Sequence, residues 1–171
     1  ELTARNRGIP FGYQSHFGND GEPLYPEITI ANDGLFHTLR PKPDETMIVG
    51  SHHLILEHDC GEETIDIGNI IRDATVGRKQ LVYGELELSG TLDTLGWGKR
   101  LYCYVIDSRK RTKVSARKRV KTIIEKFPGP VDRRRFFFVD RHSFMEAGDD
   151  IGDLQWVRAD GQVMRLPCWK S

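Results

Sequence analysis

The chain has 171 residues, with 25 basic and 25 acidic side chains, a formal net charge of zero and 38% hydrophobic residues. This length fits one domain with a real core, and the apolar content excludes general disorder. The apolar runs are too short for a membrane-spanning helix, and no basic start followed by an apolar run marks a secretory signal.

Residues 1–25 are rich in Gly, Asn, Pro and aromatics and show neither helical nor strand period. They read as an extended arm that lays Phe11, Tyr13 and Phe17 on an apolar surface, of its own domain or of a neighbouring subunit. An opening Glu1 in place of Met suggests a trimmed start. A single globular β-rich domain is expected over 26–171. Short strands are read at 27–31, 35–40, 47–50, 53–58 and 64–71, bounded by turn residues such as Asn32-Asp33-Gly34, Pro41-Lys42-Pro43-Asp44 and Cys60-Gly61. Segment 80–92, QLVYGELELSGTL, sets Val82, Leu86 and Leu88 against Tyr83, Glu85 and Glu87 and reads as another strand. Residues 100–107 are apolar on both sides, as in a central strand, and Gly96-Trp97-Gly98 before them fits a hairpin turn.

One principal helix is expected next. Ala116, Val120, Ile123, Ile124 and Phe127 form an apolar stripe at helical spacing. Thr112 or Ser115 can cap its start, and Pro128-Gly129-Pro130 ends it. Strands at 135–140, 154–158 and 162–166 follow, the last two joined through Asp160-Gly161. The expected fold class is therefore mainly β, a mostly antiparallel sandwich or barrel with one basic amphipathic helix. An α+β arrangement is the alternative.

Charge is segregated along the chain. Residues 109–135 hold twelve basic side chains and two acidic ones, Glu125 and Asp132, so this segment carries +10 and the remainder −10. Like charges gathered in one place repel, and a polyanion relieves the repulsion while releasing counterions. Arg109, Lys110, Arg111, Lys113, Arg117, Lys118, Arg119, Lys121, Arg133, Arg134 and Arg135 are accordingly read as phosphate contacts for nucleic acid, RNA before DNA. The opposed charges also suit assembly into a homo-oligomer, basic patch on acidic patch. A protein surface or an anionic membrane surface is a further candidate partner. The function expected is non-enzymatic nucleic-acid binding with self-assembly, as in a viral structural or RNA-binding protein, with no cofactor.

The segments LELSGTLDT, YCYVIDSRKR and RRRFFFVD resemble the aspartate strand of plant-virus movement proteins over a minor part of the chain. That resemblance implies a β-rich, RNA-binding, self-associating protein and carries no residue role with it.

Two constellations suggest chemistry. His53, His58 and Cys60 are zinc-type ligands, but an odd separation on one strand points the two histidines to opposite faces. Pro43-Asp44 followed by carboxylates resembles the PD…(D/E)xK arrangement, in which two acids and a lysine hold magnesium and activate water. A metal-dependent nuclease using Asp44, Glu57 and Asp59 is the enzymatic alternative, although GELEL downstream offers no lysine at the place the motif needs. Cys60, Cys103 and Cys168 are odd in number and form no CxxC pair, which suits a reducing, intracellular location, cytoplasmic or nuclear.

Overall fold

Runs of β-branched and aromatic residues become strands at most places where they occur. The computed structural model describes residues 11–13, 25–32, 34–65, 75–129, 131–148 and 151–169. The strands are β1 (Phe11–Tyr13), β2 (Ile28–Asn32), β3 (Leu35–Leu39), β4 (Glu45–Val49), β5 (His52–Asp59), β6 (Lys99–Ile106), β7 (Phe136–Asp140), β8 (Trp156–Arg158) and β9 (Val163–Met164). The helices are α1 (Val76–Ser89), α2 (Thr91–Thr94), α3 (Lys113–Glu125) and α4 (Arg141–Ala147). Short 3-10 turns cover Arg133–Arg135 and Pro167–Trp169.

Seven strands form one open sheet in the order β1-β4-β5-β6-β7-β8-β9, and β2 pairs with β3 in a separate antiparallel hairpin. β5, β6 and β7 are parallel neighbours, and the remaining pairs are antiparallel. A parallel pair cannot be joined by a tight turn and needs a crossover, usually helical. α1 lies between β5 and β6 in the chain, and α3 between β6 and β7.

Both long helices cover one face of the sheet. On it Val76, Val82, Tyr83 and Leu86 of α1 and Val120 and Ile123 of α3 meet Ile55, Tyr102, Tyr104, Ile106, Phe136 and Phe138. The other face carries Leu54, Leu56, Leu101, Cys103, Val105, Phe137 and Val139, closed by Trp156, Leu166 and Cys168 from the C-terminal segment. Arg100 to Ile106 and all of β7 are buried, as expected for central strands covered on both sides.

The described residues form an α+β fold with strand and helix in nearly equal shares, and among them no barrel closes. The expectation of a mainly β sandwich or barrel is corrected at residues 80–92. They belong to α1 and α2, and Gly96-Trp97-Gly98 leads into a strand parallel to β5 rather than turning a hairpin. The cause is a shared spacing. Val82 and Leu86 are four residues apart, which satisfies a period of two and a period of 3.6 alike. Leu88, which the strand reading grouped with them, is 60% exposed. The start of α1 is fixed by Thr75, whose side-chain oxygen accepts a hydrogen bond from Arg78 N at 3.1 Å. Gly84 lets α1 close on the segment after α3, since a Cβ there would lie 2.3 Å from Val131 Cγ2.

The other expected strands hold within a few residues, as does the β8–β9 hairpin at Asp160-Gly161. The strand read at 64–71 falls mostly outside the described residues, and Thr64 and Ile65 lie in no strand. Of the arm, residues 11–13 form β1 against β4. Phe17 and the side chains of Phe11 and Tyr13 lie outside the described residues. Among the described residues no helix is long and apolar enough to cross a membrane.

Candidate functional site

α3 forms where its sequence pattern places it. Thr112 caps it, accepting from Ser115 N, and Ala116, Val120 and Ile123 are buried against the sheet. Its cationic side chains then take different directions. Arg119 Nε donates to Asp59 Oδ2 at 2.6 Å and its Nη2 to Glu63 O at 2.5 Å. Arg117 Nε donates to Asp140 Oδ2 at 3.1 Å. Lys113 pairs with Glu146 of α4, and Lys121 stands 3.8 Å from Glu125.

Arg133, Arg134 and Arg135 precede β7, at the opposite end of the parallel strands from the β6–α3 loop that holds Arg109, Lys110 and Arg111. Arg134 pairs with Asp132 at 2.9 Å, and Arg135 Nη1 lies 2.8 Å from Glu87 Oε2. Arg133 Nη2 donates to Phe127 O at 3.3 Å, and its guanidinium sits over the Phe127 ring. Of the eleven basic residues singled out in the sequence, Arg117, Arg119, Lys113, Lys121, Arg134 and Arg135 are thus each engaged by a carboxylate.

What the fold does bring together is a groove of about 510 Å³ at the C-terminal ends of β5 and β6. Arg109, Lys110, Lys118, Arg119 and Lys126 line it, with Glu63 on the facing segment. Arg111 closes the loop with φ of 48°, in the left-handed region, as its N donates to Ser108 O at 2.7 Å. The facing segment is held close. Gly61 adopts φ of 82°, and a Cβ there would lie 2.5 Å from the Ser108 backbone.

Beside this groove is a second constellation. Antiparallel pairing sets Glu45 opposite Leu56, which puts Asp44 across from Glu57. Asp44 Oδ2 accepts from His58 N at 2.6 Å. Glu57 is 2% exposed, and Tyr83 of α1 donates to its Oε1 at 2.5 Å. Lys79 of α1 places Nζ 3.0 Å from Glu57 Oε2 and 3.1 Å from Glu63 Oε1. Burial pushes the Glu57 carboxyl up to about 7, with the Asp44 charge adding to the rise against the opposing Lys79 and Tyr83. Burial raises Glu63 as well, and Lys79 opposes that rise. Burial works against the Lys79 ammonium, but Glu57 and Glu63 outweigh it and hold Lys79 protonated above the ordinary amine range.

In the β5–β6 register Tyr104 is the partner of Glu57. Its hydroxyl, Gln80 Nε2 and Glu63 Oε2 are buried without a hydrogen-bond partner. Glu57, Lys79 and Tyr83 open onto a cavity of about 320 Å³ walled by Leu39, Arg40, Pro41 and Lys42.

The sequence named Asp44, Glu57 and Asp59 as one acidic trio. The structure keeps Asp44 and Glu57 adjacent and engages Asp59 with Arg119 and Gly61 N. Among the described residues no three His, Cys, Asp or Glu side chains close around one point. His53 stacks on Trp97 while His58 meets Phe144 edge-on, on the two opposite faces of β5. Lys79 and Tyr83 were missed because they come from a helix that the sequence reading began as a strand. The Thr75 cap was the available signal. No family model, curated protein or solved structure matches the chain.

Proposed function

We propose that the protein binds nucleic acid along the groove at the C-terminal ends of β5 and β6 and cleaves it as a metal-dependent nuclease. One observation carries the reading: Lys79 Nζ, delivered by α1, stands 3.0 Å from Glu57, the carboxylate that faces Asp44 across β4 and β5. Two acids and a lysine are thereby assembled, as in the PD…(D/E)xK arrangement, with the lysine on a helix instead of the strand.

An all-oxygen donor pair suits a hard divalent cation that keeps several waters and needs only one or two carboxylates. Asp44 and Glu57 would hold such a cation, which supplies an activated water and polarises a phosphoryl oxygen. Lys79 meets the charge that builds on the phosphate, in a site dry enough to strengthen the attraction. Tyr83 orients Glu57 through its hydrogen bond. Arg109, Lys110 and Lys118 hold the flanking phosphates without reading bases.

A second reading, binding without cleavage, is favoured by the same burial of Glu57 and its closed contacts with Lys79 and Tyr83. The two separate in one experiment. With labelled oligonucleotide and magnesium or manganese, the wild type is expected to produce fragments, and Asp44→Ala or Lys79→Ala to reduce the rate at least a hundredfold with binding kept. Lys118→Ala is expected to weaken binding and to lower the salt slope of affinity by about one. Binding with a steep salt dependence but no fragments under any divalent cation selects the second reading.

A further inference from the structure

Both carboxylate oxygens of Glu57 are occupied. Tyr83 donates to Oε1 at 2.5 Å, and the Lys79 ammonium stands 3.0 Å from Oε2. A cation accepted at Oε2 would lie against that ammonium, and like charges in contact repel strongly beside a carboxylate only 2% exposed. Glu57 therefore holds a cation only once Lys79 has moved off Oε2. A partly buried ammonium released by one carboxylate needs another to receive it.

Glu63 is that receiver. Lys79 Nζ already donates a hydrogen bond to its Oε1 at 3.1 Å, whereas the contact with Glu57 Oε2 is close but makes no aligned hydrogen bond. Glu63 Oε2 is buried without a partner, which leaves a second acceptor open on the same carboxylate. An ammonium carries three N–H donors on a flexible stem and can give two of them to one carboxylate. The Glu63–Lys79 pair is also anchored independently of Glu57. Val76 N donates to Thr64 O and Gly77 N to Ile65 O, both at 3.1 Å, so the segment after Glu63 is tied by its backbone to the start of the helix that carries Lys79. Arg119 Nη2 holds the same segment through Glu63 O. Glu57 belongs to a different element, β5.

We infer that Glu63 is a positioning residue that takes Lys79 over when Glu57 accepts a divalent cation, so that ammonium and cation stand side by side instead of excluding each other. The inference rests on the nuclease reading and gives Glu57 the free oxygen that reading needs. Lys79 stays charged and close by, in place to meet a phosphate.

The test measures manganese binding to the full chain, without nucleic acid, from the electron paramagnetic resonance of the free ion at a pH where the carboxylates are ionised. Glu63→Gln leaves Lys79 on Glu57 and is expected to weaken binding about tenfold. Lys79→Gln removes the competing ammonium and is expected to bind manganese at least as tightly as wild type. Adding Glu63→Gln to Lys79→Gln is expected to cost no more than about threefold, since no ammonium is left to be held. A Glu63 that ligated the cation, or drew it only by charge, would cost more in that background, because no lysine then offsets its charge. That result overturns the inference, as does wild-type affinity in Glu63→Gln. A weaker affinity in Lys79→Gln overturns it too, and this arm decides even where Glu63→Gln does not fold. In these three cases wild type still binds manganese and the nuclease reading stands. If wild type binds no manganese the inference is overturned, and if it also cuts no oligonucleotide the nuclease reading fails with it.

Discussion

At Glu57, burial and charge act in opposite directions on one carboxyl. Its ordinary value is 4.5, and in the fold it is raised to about 7, since burial outweighs the attraction of Lys79. Between these values the folded chain binds a proton that the unfolded chain has released, so stability falls as pH rises through this window. Glu57→Gln removes the titration. Its denaturation free energy is expected to decline less than that of the wild type between pH 4.5 and 7, as urea melts at stepped pH would record. A wild-type profile parallel to the variant's would show that Glu57 titrates alike in both states. Asp44 and Glu57 were legible in the sequence, because Asp44 follows Pro43 and Glu57 follows the apolar run Leu54-Ile55-Leu56. Lys79 was not, because no spacing rule links a strand residue to a helix residue that a crossover later lays over it.

Among the elements, α3 and the strands of the sheet were legible and α1 was not. α3 combines a capping threonine, an uninterrupted apolar stripe and a proline stop, and these three signals agree. In α1 the apolar residues at 82 and 86 fit either period, and Gly84 weakens helix propensity at its middle. That glycine exists for packing, since Val131 occupies the space a side chain would need. Gly84→Ala gains helix propensity yet is expected to destabilise the fold by about 1–3 kcal/mol through overpacking. Adding Val131→Ala should recover part of that loss, and chemical denaturation of the single and double variants would check it. A Gly84→Ala protein more stable than wild type would mean that α1 shifts freely and does not fix the sheet.

Over the whole molecule, the separation of charge along the sequence is partly undone by folding. Asp59, Asp107 and Asp140 stand at or just beyond the C-terminal ends of β5, β6 and β7, and they pair with Arg119, Arg141 and Arg117 respectively. Each aspartate draws an arginine of α3 or α4 onto the sheet, so part of the basic segment is consumed as internal glue. Counting residues along a chain could not reveal this, because the partners are far apart in sequence. Arg109, Lys110 and Lys118 line the groove, and there the protein's backbone geometry matters as much as its charge. Gly61 lies hard against Ser108, and Asp107 N donates to Asp59 O at 2.8 Å, which fastens the two walls to each other. The two walls are thus joined backbone to backbone into one jaw. A strand bound there, as the proposed function has it, would surrender its own freedom but ask little from the protein. Gly61→Ala would wedge the jaw apart, and titration calorimetry should then record weaker binding with a less favourable entropy, while Lys118 and Arg109 keep their charge.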